Sequence, residues 1–418
     1  MSKFTVFGGA RLTGEINIHG AKNVALPVFA AALLTEKQVI IHKCPLIRDV
    51  YNMLSLLKSI GCGVKIEGNT VIIDCQSAEH WEMPDFLAKE IRSSIFMLGP
   101  VISRFKKAKF TYPGGCEIGT RPIDLHLKGL REMNIEIREY SGHIYCETSG
   151  IKGAQIHLDY PSVGATENIM MAAVKAKGDT VIRNAAREPE IIELQTVINA
   201  MGGKVSGAGT STITIESVKK LGGVTYHCLA DRIVAGTFMT AAVMTKGNLT
   251  IRNTREEYLY SIISKLREAG ASIKVYNDAI SVVATERPKE MHLIETAPYP
   301  GFPTDMQAQM CAAACVADGT SIIIENVFDN RFKHISELIR MGANITVKNR
   351  VAIVRGVEKL SGTDVIAMDL RGGAALLLAG LVAEGKTIIE NVELIERGYE
   401  KIDEVLRSLG STIIKSRD

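Results

Sequence analysis

A segment of about 70 residues recurs six times along the chain, and this repeat limits the possible folds more than any other feature. In each copy an amphipathic helix ends at Gly or Asn and is followed by alternating strand residues, as in IISKLREAGASIKVYNDAISVV. Gly and Asn readily adopt the left-handed conformation that ends a helix. The chain therefore predicts six equivalent structural units. The six helix-ending positions are Gly61, Asn134, Gly202, Gly270, Gly342 and Gly410.

A second helix recurs in phase with the first. It is Ala-rich and apolar, and a short turn and a β-branched strand follow it, as in FMTAAVMTKGNLTIRN. Helices that are apolar on every side, such as residues 171–174 and 312–316, belong in the interior. Each unit therefore predicts the order βαβαββ. Six units of this size predict an α/β protein of two three-unit halves with buried helices, and we expect the halves to meet near residues 222–231.

Charge and cysteine content exclude several classes of protein. The 418 residues include 49 Lys and Arg against 46 Asp and Glu, a net charge of +3. A ring of repeats that binds nucleic acid would need a basic, aromatic-bearing surface, so we expect no nucleic-acid partner. Without a signal sequence or a run long enough to span a membrane, we expect a cytoplasmic protein with no membrane partner. The eight cysteines lack metal-ligand spacing, which predicts reduced thiols and no bound metal.

Residues 380–387 match the phosphate-loop pattern GxxxxGKT. That loop requires a strand before it and a helix after it. Here the repeat predicts the reverse order, a buried helix followed by a strand. We therefore expect no nucleotide-hydrolase site at this position.

Polar residues stand at or just before the start of each buried helix. A helix N-terminus carries free N–H groups and a partial positive charge, so several termini together favour an anion site. These residues are Lys22, Asn23, Arg92, Ser162, Asp231, Arg232, Asp305, Asp369 and Arg371. One Arg also lies near the start of the second helix in several units: Arg121, Arg187, Arg331 and Arg397. A single such Arg is commonly part of a surface ion pair, whereas the whole set favours a phosphate or carboxylate ligand.

The segment YPGGCEIGTRPIDLH interrupts the repeat with a Gly-rich loop that carries Cys116. Nearby cations stabilise a thiolate, so this cysteine is a candidate for proton transfer or nucleophilic attack. The alternative, a small buried apolar residue, fits a Gly-rich loop poorly. Two interpretations stay open for Asp305: a helix N-cap or first-turn acid, or a carboxylate that accepts a proton from a substrate hydroxyl.

Seven segments distributed over the whole chain carry a resemblance. They are GAKNVALP, PGGCEIGTRPIDLH, PSVGAT, NAAREPEI, FPTDMQAQ, ENVFDNRF and ERGYEKI. In these segments the sequence resembles the UDP-N-acetylglucosamine 1-carboxyvinyltransferase family. The resemblance implies the fold of the related shikimate-pathway enolpyruvyl transferase, two domains of three βαβαββ units in an inside-out α/β barrel. The implied domains are residues 22–229 and residues 1–21 plus 230–418, with the active site in the cleft between them.

The resemblance also implies the reaction. The 3-hydroxyl of UDP-N-acetylglucosamine attacks C2 of phosphoenolpyruvate, a tetrahedral ketal forms, and phosphate leaves, without a cofactor or a metal. This step opens peptidoglycan precursor synthesis, on which cell shape and division depend. Cys116 is implied as the acid that protonates C3, as the site of a covalent adduct and as the target of fosfomycin.

The family's functional residues fall on matching positions of this chain. Phosphoenolpyruvate is expected to contact Lys22, Asn23, Arg121 and Arg397. The sugar nucleotide is expected to contact Arg92, Arg121, Pro122, Ile123, Asp124, Leu125, Ser162, Val163, Asp305, Val327 and Arg371. The residues implied in catalysis are Cys116, Asp305, Lys22, Arg397 and Asp369.

Two positions depart from the family pattern. Tyr160 stands where some relatives have Lys, which removes a salt bridge to the nucleotide, and Phe96 replaces a Trp.

Two other functions stay open. One is a shikimate-type enolpyruvyl transferase, which needs neither a loop thiol nor a uridine site. The other is a non-catalytic regulatory paralogue that binds the sugar nucleotide, although Cys116 and Asp305 are both present.

Overall fold

The computed structural model describes residues 2–114 and 123–417, and in them the sixfold repeat is confirmed. All six helix-ending residues adopt positive φ angles, from 65° at Asn134 to 102° at Gly410. The unit in the middle of the chain has the predicted order of strands and helices. Its first two strands are parallel around a buried helix, and an antiparallel hairpin follows a second helix.

The described residues form 23 strands and 13 α-helices. The strands are β1 (Ser2–Phe7), β2 (Thr13–Asn17), β3 (Val39–His42), β4 (Gly63–Glu67), β5 (Thr70–Asp74), β6 (Lys107–Thr111), β7 (Glu136–Tyr140), β8 (His143–Glu147), β9 (Gln155–His157), β10 (Thr180–Arg183), β11 (Lys204–Ser206), β12 (Thr212–Glu216), β13 (Val224–His227), β14 (Asn248–Arg252), β15 (Ser272–Val275), β16 (Ala279–Val283), β17 (Leu293–Glu295), β18 (Thr320–Ile324), β19 (Asn344–Lys348), β20 (Val351–Arg355), β21 (Asp364–Ile366), β22 (Lys386–Glu390) and β23 (Thr412–Arg417). The helices are α1 (Lys22–Ala32), α2 (Arg48–Ser59), α3 (Asp85–Glu90), α4 (Leu98–Phe105), α5 (Asp124–Glu132), α6 (Val163–Ala173), α7 (Pro189–Ala200), α8 (Arg232–Met244), α9 (Tyr260–Glu268), α10 (Gln307–Val316), α11 (Ile335–Arg340), α12 (Leu370–Val382) and α13 (Ile402–Ser408). Four 3-10 turns lie at Arg92–Met97, Glu256–Tyr258, Thr304–Met306 and Val392–Arg397.

The chain divides into two compact units. The first unit contains the described residues 20–114 and 123–229, and the second contains residues 2–19 and 230–417. Each has its own hydrophobic core. The first unit holds the sheets β13-β3-β5-β4, β6-β8-β7 and β9-β10-β12-β11; the second holds β2-β14-β16-β15, β17-β18-β20-β19 and β21-β22-β1-β23. Over the described residues the six sheets remain separate and form no closed barrel.

The N-terminal strands complete repeats that begin far away in the sequence. β1 lies antiparallel between β22 and β23 and supplies the strand that the sixth copy lacks. β2 pairs in parallel with β14, and β13 pairs in parallel with β3. The pairings of β1 and β2 place N-terminal residues in sheets formed by the C-terminal half, so the second unit is built from both ends of the chain.

The Ala-rich helices lie in the two cores, as the sequence predicts. All ten residues of α10 are buried, and so are nearly all residues of α6 and α12. On the amphipathic helix α9, only one face is buried. α12 ends before β22 begins at Lys386, so the GxxxxGKT segment connects a helix to a strand. Among the described residues, no helix is both long enough and apolar enough to cross a membrane.

The expectation that every thiol is reduced is wrong for one pair. Cys62 and Cys75 form a disulfide. The antiparallel register of β4 and β5 pairs Gly63 with Asp74, which places the two cysteines opposite each other one position further along, with Cα atoms 4.2 Å apart. The register of the hairpin creates this contact, so no CxxC spacing signals it. The free thiols among the described residues are all buried.

Candidate active site

The first unit places Lys22 in the opening turn of α1, as the sequence predicts. The N-cap residue Ala21 has no capping side chain, and no acidic residue lies in this turn. Lys22 Nζ lies 3.3 Å from Oδ2 of Asp49, in the first turn of α2, and the two side chains are 13% and 3% exposed. A carboxylate this deeply buried holds the ammonium group in place. Asn23 is half-buried on the same turn of α1.

Arg92 begins the 3-10 turn before α4 and contacts the stem of the Gly-rich loop. Its Nη1 donates to the backbone oxygen of Pro113 at 3.4 Å. Gly114 passes so close to α3 that a Cβ atom there would lie 2.0 Å from the backbone oxygen of Lys89. Because only glycine fits this approach, the sequence fixes the stem at this point. Three predicted site residues lie outside the described part of the chain: Cys116, Arg121 and Pro122.

The sugar-nucleotide positions of the first unit lie at the starts of α5 and α6. Ser162 caps α6, and its Oγ accepts a hydrogen bond from the backbone N–H of Ala165 at 3.3 Å. Val163 is the first residue of α6, and the exposed Asp124 is the first residue of α5. The remaining described members of this set flank Asp124, one buried and one half-buried: Ile123 and Leu125.

In the second unit, two guanidinium groups hold the carboxylate of Asp305. Arg331 Nη2 lies 2.8 Å from Oδ1, and Arg371 Nη2 lies 3.1 Å from Oδ2. The Arg side chains are 4% and 2% exposed, whereas the Asp305 side chain is 29% exposed. The residues at the N-cap positions of this turn and of α10 are Pro303 and Met306, so Asp305 is not an N-cap; it is an acidic residue in the first turn, which the sequence also allowed. The two guanidinium groups orient the carboxylate.

A buried glutamate connects Asp305 with the segment that carries Val327. Glu325 is only 1% exposed. Its Oε1 accepts hydrogen bonds from the Thr296 hydroxyl at 3.0 Å and from the backbone N–H groups of Val327 at 2.8 Å and Phe328 at 3.0 Å. Its Oε2 accepts from the hydroxyl of the residue before Asp305, Thr304, at 2.9 Å. One carboxylate therefore sets the position of both predicted substrate-contacting segments.

Asp369 caps α12. Its Oδ1 accepts hydrogen bonds from the backbone N–H groups of Arg371 and Gly372, both at 3.0 Å, and the residue is 2% exposed. This contact fixes the helix turn from which Arg371 reaches Asp305. A catalytic role for Asp369 stays a prediction. Arg397 is the half-buried last residue of its 3-10 turn.

Comparison with known proteins identifies the family. The pattern of the family described as EPSP synthase (3-phosphoshikimate 1-carboxyvinyltransferase) matches residues 6–406. The UDP-N-acetylglucosamine 1-carboxyvinyltransferase 2 of Caldanaerobacter subterraneus subsp. tengcongensis is 52% identical over 415 residues, which cover 99% of this chain and 100% of that protein. The chain belongs to the carboxyvinyltransferase family. The UDP-N-acetylglucosamine 1-carboxyvinyltransferase of Yersinia pestis is 47% identical and covers 99% of each chain.

Solved structures agree on the fold of this carboxyvinyltransferase. The enolpyruvyl transferase NikO from Streptomyces tendae superimposes with a TM-score of 0.90 at 24% identity, covering 99% of each chain. EPSP synthase from Acinetobacter baumannii superimposes with a TM-score of 0.78 at 19% identity over the full length of both chains. The predicted α/β fold of the enolpyruvyl transferases is therefore confirmed.

Two residues of this transferase that contact the predicted site were not predicted from the sequence. Asp49 and Glu325 contact site residues through tertiary packing, and neither lies at the start of an Ala-rich helix. Arg331 belongs to the set of repeated arginines, but only its contact with Asp305 assigns it to the site. The two positions that depart from the family pattern remain compatible with it: Tyr160 is 42% exposed, and Phe96 packs against the first core.

Proposed function

We propose that this transferase moves the enolpyruvyl group of phosphoenolpyruvate to the 3-hydroxyl of UDP-N-acetylglucosamine and releases phosphate. The observation that carries this proposal is the 47% to 52% identity, over 99% of the chain, to proteins named for that activity. The polar helix starts of the first unit and the clamped Asp305 of the second unit supply suitable groups for an anionic substrate and a sugar hydroxyl.

The chemistry is an addition followed by an elimination. The 3-hydroxyl oxygen bonds to C2 of phosphoenolpyruvate and gives its proton to the Asp305 carboxylate, while C3 gains a proton from the proposed acid Cys116, which yields a tetrahedral ketal. Loss of a proton from C3 then expels phosphate and restores the double bond. Asp305 is the proposed contact of the attacking hydroxyl, since its partly exposed carboxylate is held by Arg331 and Arg371. Two charged hydrogen bonds fix its direction, so the carboxylate orients the nucleophile and accepts its proton.

The substrate anions require cations and N–H donors. Lys22, Asn23, Arg121 and Arg397 are the proposed contacts of phosphoenolpyruvate, with Asp49 holding Lys22 in place. Arg121 is proposed to contact both substrates, and the full set proposed for the sugar nucleotide is Arg92, Arg121, Pro122, Ile123, Asp124, Leu125, Ser162, Val163, Asp305, Val327 and Arg371. Cys116 is the proposed C3 acid and the site of alkylation by fosfomycin. Asp369 acts on the reaction by fixing the turn that carries Arg371.

The proposal gives the protein a place in peptidoglycan precursor synthesis, and through it in cell shape and division. Both substrates are polyanions that do not cross a bilayer unaided, so we place the reaction in the cytoplasm. The net charge of +3 supports a small-molecule substrate rather than nucleic acid.

The test follows phosphate release from phosphoenolpyruvate with UDP-N-acetylglucosamine, and in parallel with shikimate 3-phosphate. We expect release only with the sugar nucleotide, and fosfomycin should abolish it with a mass increase on Cys116. Release with shikimate 3-phosphate would instead establish the shikimate-type activity. Binding of the sugar nucleotide without phosphate release would favour the regulatory paralogue.

A further inference from the structure

Asn168 on α6 is fully buried and hydrogen-bonded on both sides of its amide. Its Oδ1 accepts from the backbone N–H of Gly99 at 2.8 Å. Its Nδ2 donates to the backbone oxygen of Ile95 at 2.8 Å and lies 2.8 Å from Nδ1 of His126. None of these groups belongs to the predicted set of site residues, and all of them lie in the first unit.

The two backbone partners fix the orientation of the amide. A peptide N–H can only donate and a peptide oxygen can only accept, so Oδ1 must face Gly99 and Nδ2 must face Ile95. The second hydrogen of Nδ2 then points to His126. An amide nitrogen accepts no hydrogen bond, so the facing Nδ1 atom must be unprotonated. The proton of the neutral imidazole therefore resides on Nε2.

The Nε2 side of His126 lies at the start of α6. A Cβ atom on Gly164 would lie 3.2 Å from Nε2 and 3.0 Å from Cε1 of the ring, so the missing side chain at this position makes room for the imidazole. Gly164 follows Ser162 and Val163, both assigned to the sugar nucleotide, and His126 lies two residues after Asp124 on α5.

We propose that Asn168 is a positioning residue that holds His126 in the Nε2–H tautomer, so that the imidazole donates a hydrogen bond to an oxygen acceptor of the sugar nucleotide. This inference rests on the proposed function for its ligand, but the tautomer itself rests on the Asn168 contacts alone. A neutral N–H donor orients the ligand oxygen without adding positive charge at the start of α6.

The substitution Asn168→Asp replaces the hydrogen-bond donor that faces His126 with an acceptor and hardly changes the shape of the side chain. The Gly99 N–H still finds an oxygen, but the atom facing His126 becomes an acceptor, which gives up the hydrogen bond to the Ile95 oxygen and draws a proton onto Nδ1. His126→Gln removes the imidazole and reports the ligand contact independently. His143 provides an internal reference, because its Nδ1 faces the Ser141 carbonyl oxygen and its Nε2 faces Asp85, away from Asn168.

Nitrogen-15 NMR of histidine-labelled protein reads the tautomer directly. We expect His126 of the wild type to carry its proton on Nε2, and Asn168→Asp to move a proton to Nδ1 while the His143 signals stay unchanged. A wild-type His126 protonated on Nδ1 would overturn the proposal whether or not the Asp variant folds. The tautomer of His126 shows whether Asn168 positions the ring or only stabilises the fold.

Calorimetric titration with UDP-N-acetylglucosamine tests the ligand contact. We expect His126→Gln and Asn168→Asp each to weaken binding about tenfold, and the double variant to be no weaker than His126→Gln. Unchanged binding by His126→Gln would contradict the contact. Additive losses in the double variant would show that Asn168 acts by another route. If the wild type binds no sugar nucleotide, the proposed function and the ligand contact fail together, whereas the NMR result on the tautomer stands separately.

Discussion

The two units differ in the side chains that cap the starts of their buried helices. In the first unit, α1 and the 3-10 turn at Arg92 have no capping side chain, and α6 is capped by the neutral Ser162. In the second unit, α8 and α12 are capped by the carboxylates of Asp231 and Asp369. A carboxylate cap offsets the partial positive charge of the terminus. The first unit therefore keeps more of its helix-terminal charge for a bound anion.

Their charged side chains show the same contrast. Lys22 in the first unit is a cation held by the buried Asp49, whereas Asp305 in the second unit is a carboxylate held by two buried arginines. The first unit thus presents a cation and the second presents an anion. Substitutions in the first unit should mainly weaken the binding of anionic ligands. Loss of the Asp305 carboxylate should mainly slow turnover.

The largest effect is expected from Asp305→Asn. The amide keeps the size of the side chain but loses the charge that the two arginines orient and the ability to accept a proton. We expect kcat to fall about 10³-fold, with much less change in the KM for either substrate, by steady-state phosphate release. Asp329→Asn, in an exposed ion pair with Arg350, is the matched control and should leave kcat unchanged. A loss confined to KM would refute the contrast between the units.

The next effect is expected from Lys22→Gln. Removing the ammonium group deprives phosphoenolpyruvate of a charged donor and breaks the ion pair with the buried Asp49. We expect the KM for phosphoenolpyruvate to rise about 10²-fold, and a thermal melt should check the cost of breaking the Lys22–Asp49 ion pair. Lys65→Gln, on the exposed strand β4, should change neither quantity. An unaffected KM would remove Lys22 from the phosphoenolpyruvate site.

Changing the cap of α6 tests the difference in helix capping between the two units most directly. Ser162→Asp gives α6 the kind of carboxylate cap found on α8 and α12. Asp is as good a cap as Ser, so the melting temperature should not fall. The added charge should repel the diphosphate and weaken sugar-nucleotide binding about tenfold. Ser162→Asn, a neutral cap of the same shape, should bind almost normally. Equal affinities for the Asp and Asn variants would mean that the helix terminus plays no part in anion binding.

Much of this arrangement is predictable from the sequence because it is periodic. The left-handed residues that end the helices and the polar residues that begin the buried ones fall at equivalent points of each unit. Contacts made across the fold carry no such period. The Lys22–Asp49 pair, the completion of the sixth repeat by β1 and the Cys62–Cys75 disulfide all depend on tertiary approach.

A smaller effect is expected from Glu325→Gln. The amide can turn its oxygen to the two backbone N–H groups and its nitrogen to Thr304, whose hydroxyl can also accept. The weaker neutral hydrogen bonds should lower the melting temperature by a few degrees and raise the KM for the sugar nucleotide about threefold. Glu295→Gln, on an exposed position of β17, is the control. A variant with wild-type stability and KM would contradict the role given to Glu325.

The smallest effect should come from Glu167→Gln in the first unit, where a buried carboxyl has the opposite surroundings to Glu325. Neither oxygen of Glu167 has a hydrogen-bond partner among the described residues. Burial, and then the charges of Glu190 and Glu188, raise the pKa of Glu167 well above its ordinary value.

The sign of the pH effect follows from that raised pKa. The folded protein retains a proton at pH values where the unfolded chain has released it, so wild-type stability declines as pH rises above the ordinary carboxyl pKa of about 4.3. Gln cannot ionise and avoids this decline. The melting temperature of Glu167→Gln minus that of the wild type should therefore increase from pH 5 to pH 8. Glu325→Gln should show a deficit at both pH values, because it weakens the hydrogen bonds that the Glu325 carboxylate accepts. If the difference in melting temperature between Glu167→Gln and the wild type does not change with pH, Glu167 is ionised in the folded protein. That result would remove this contrast between the two units.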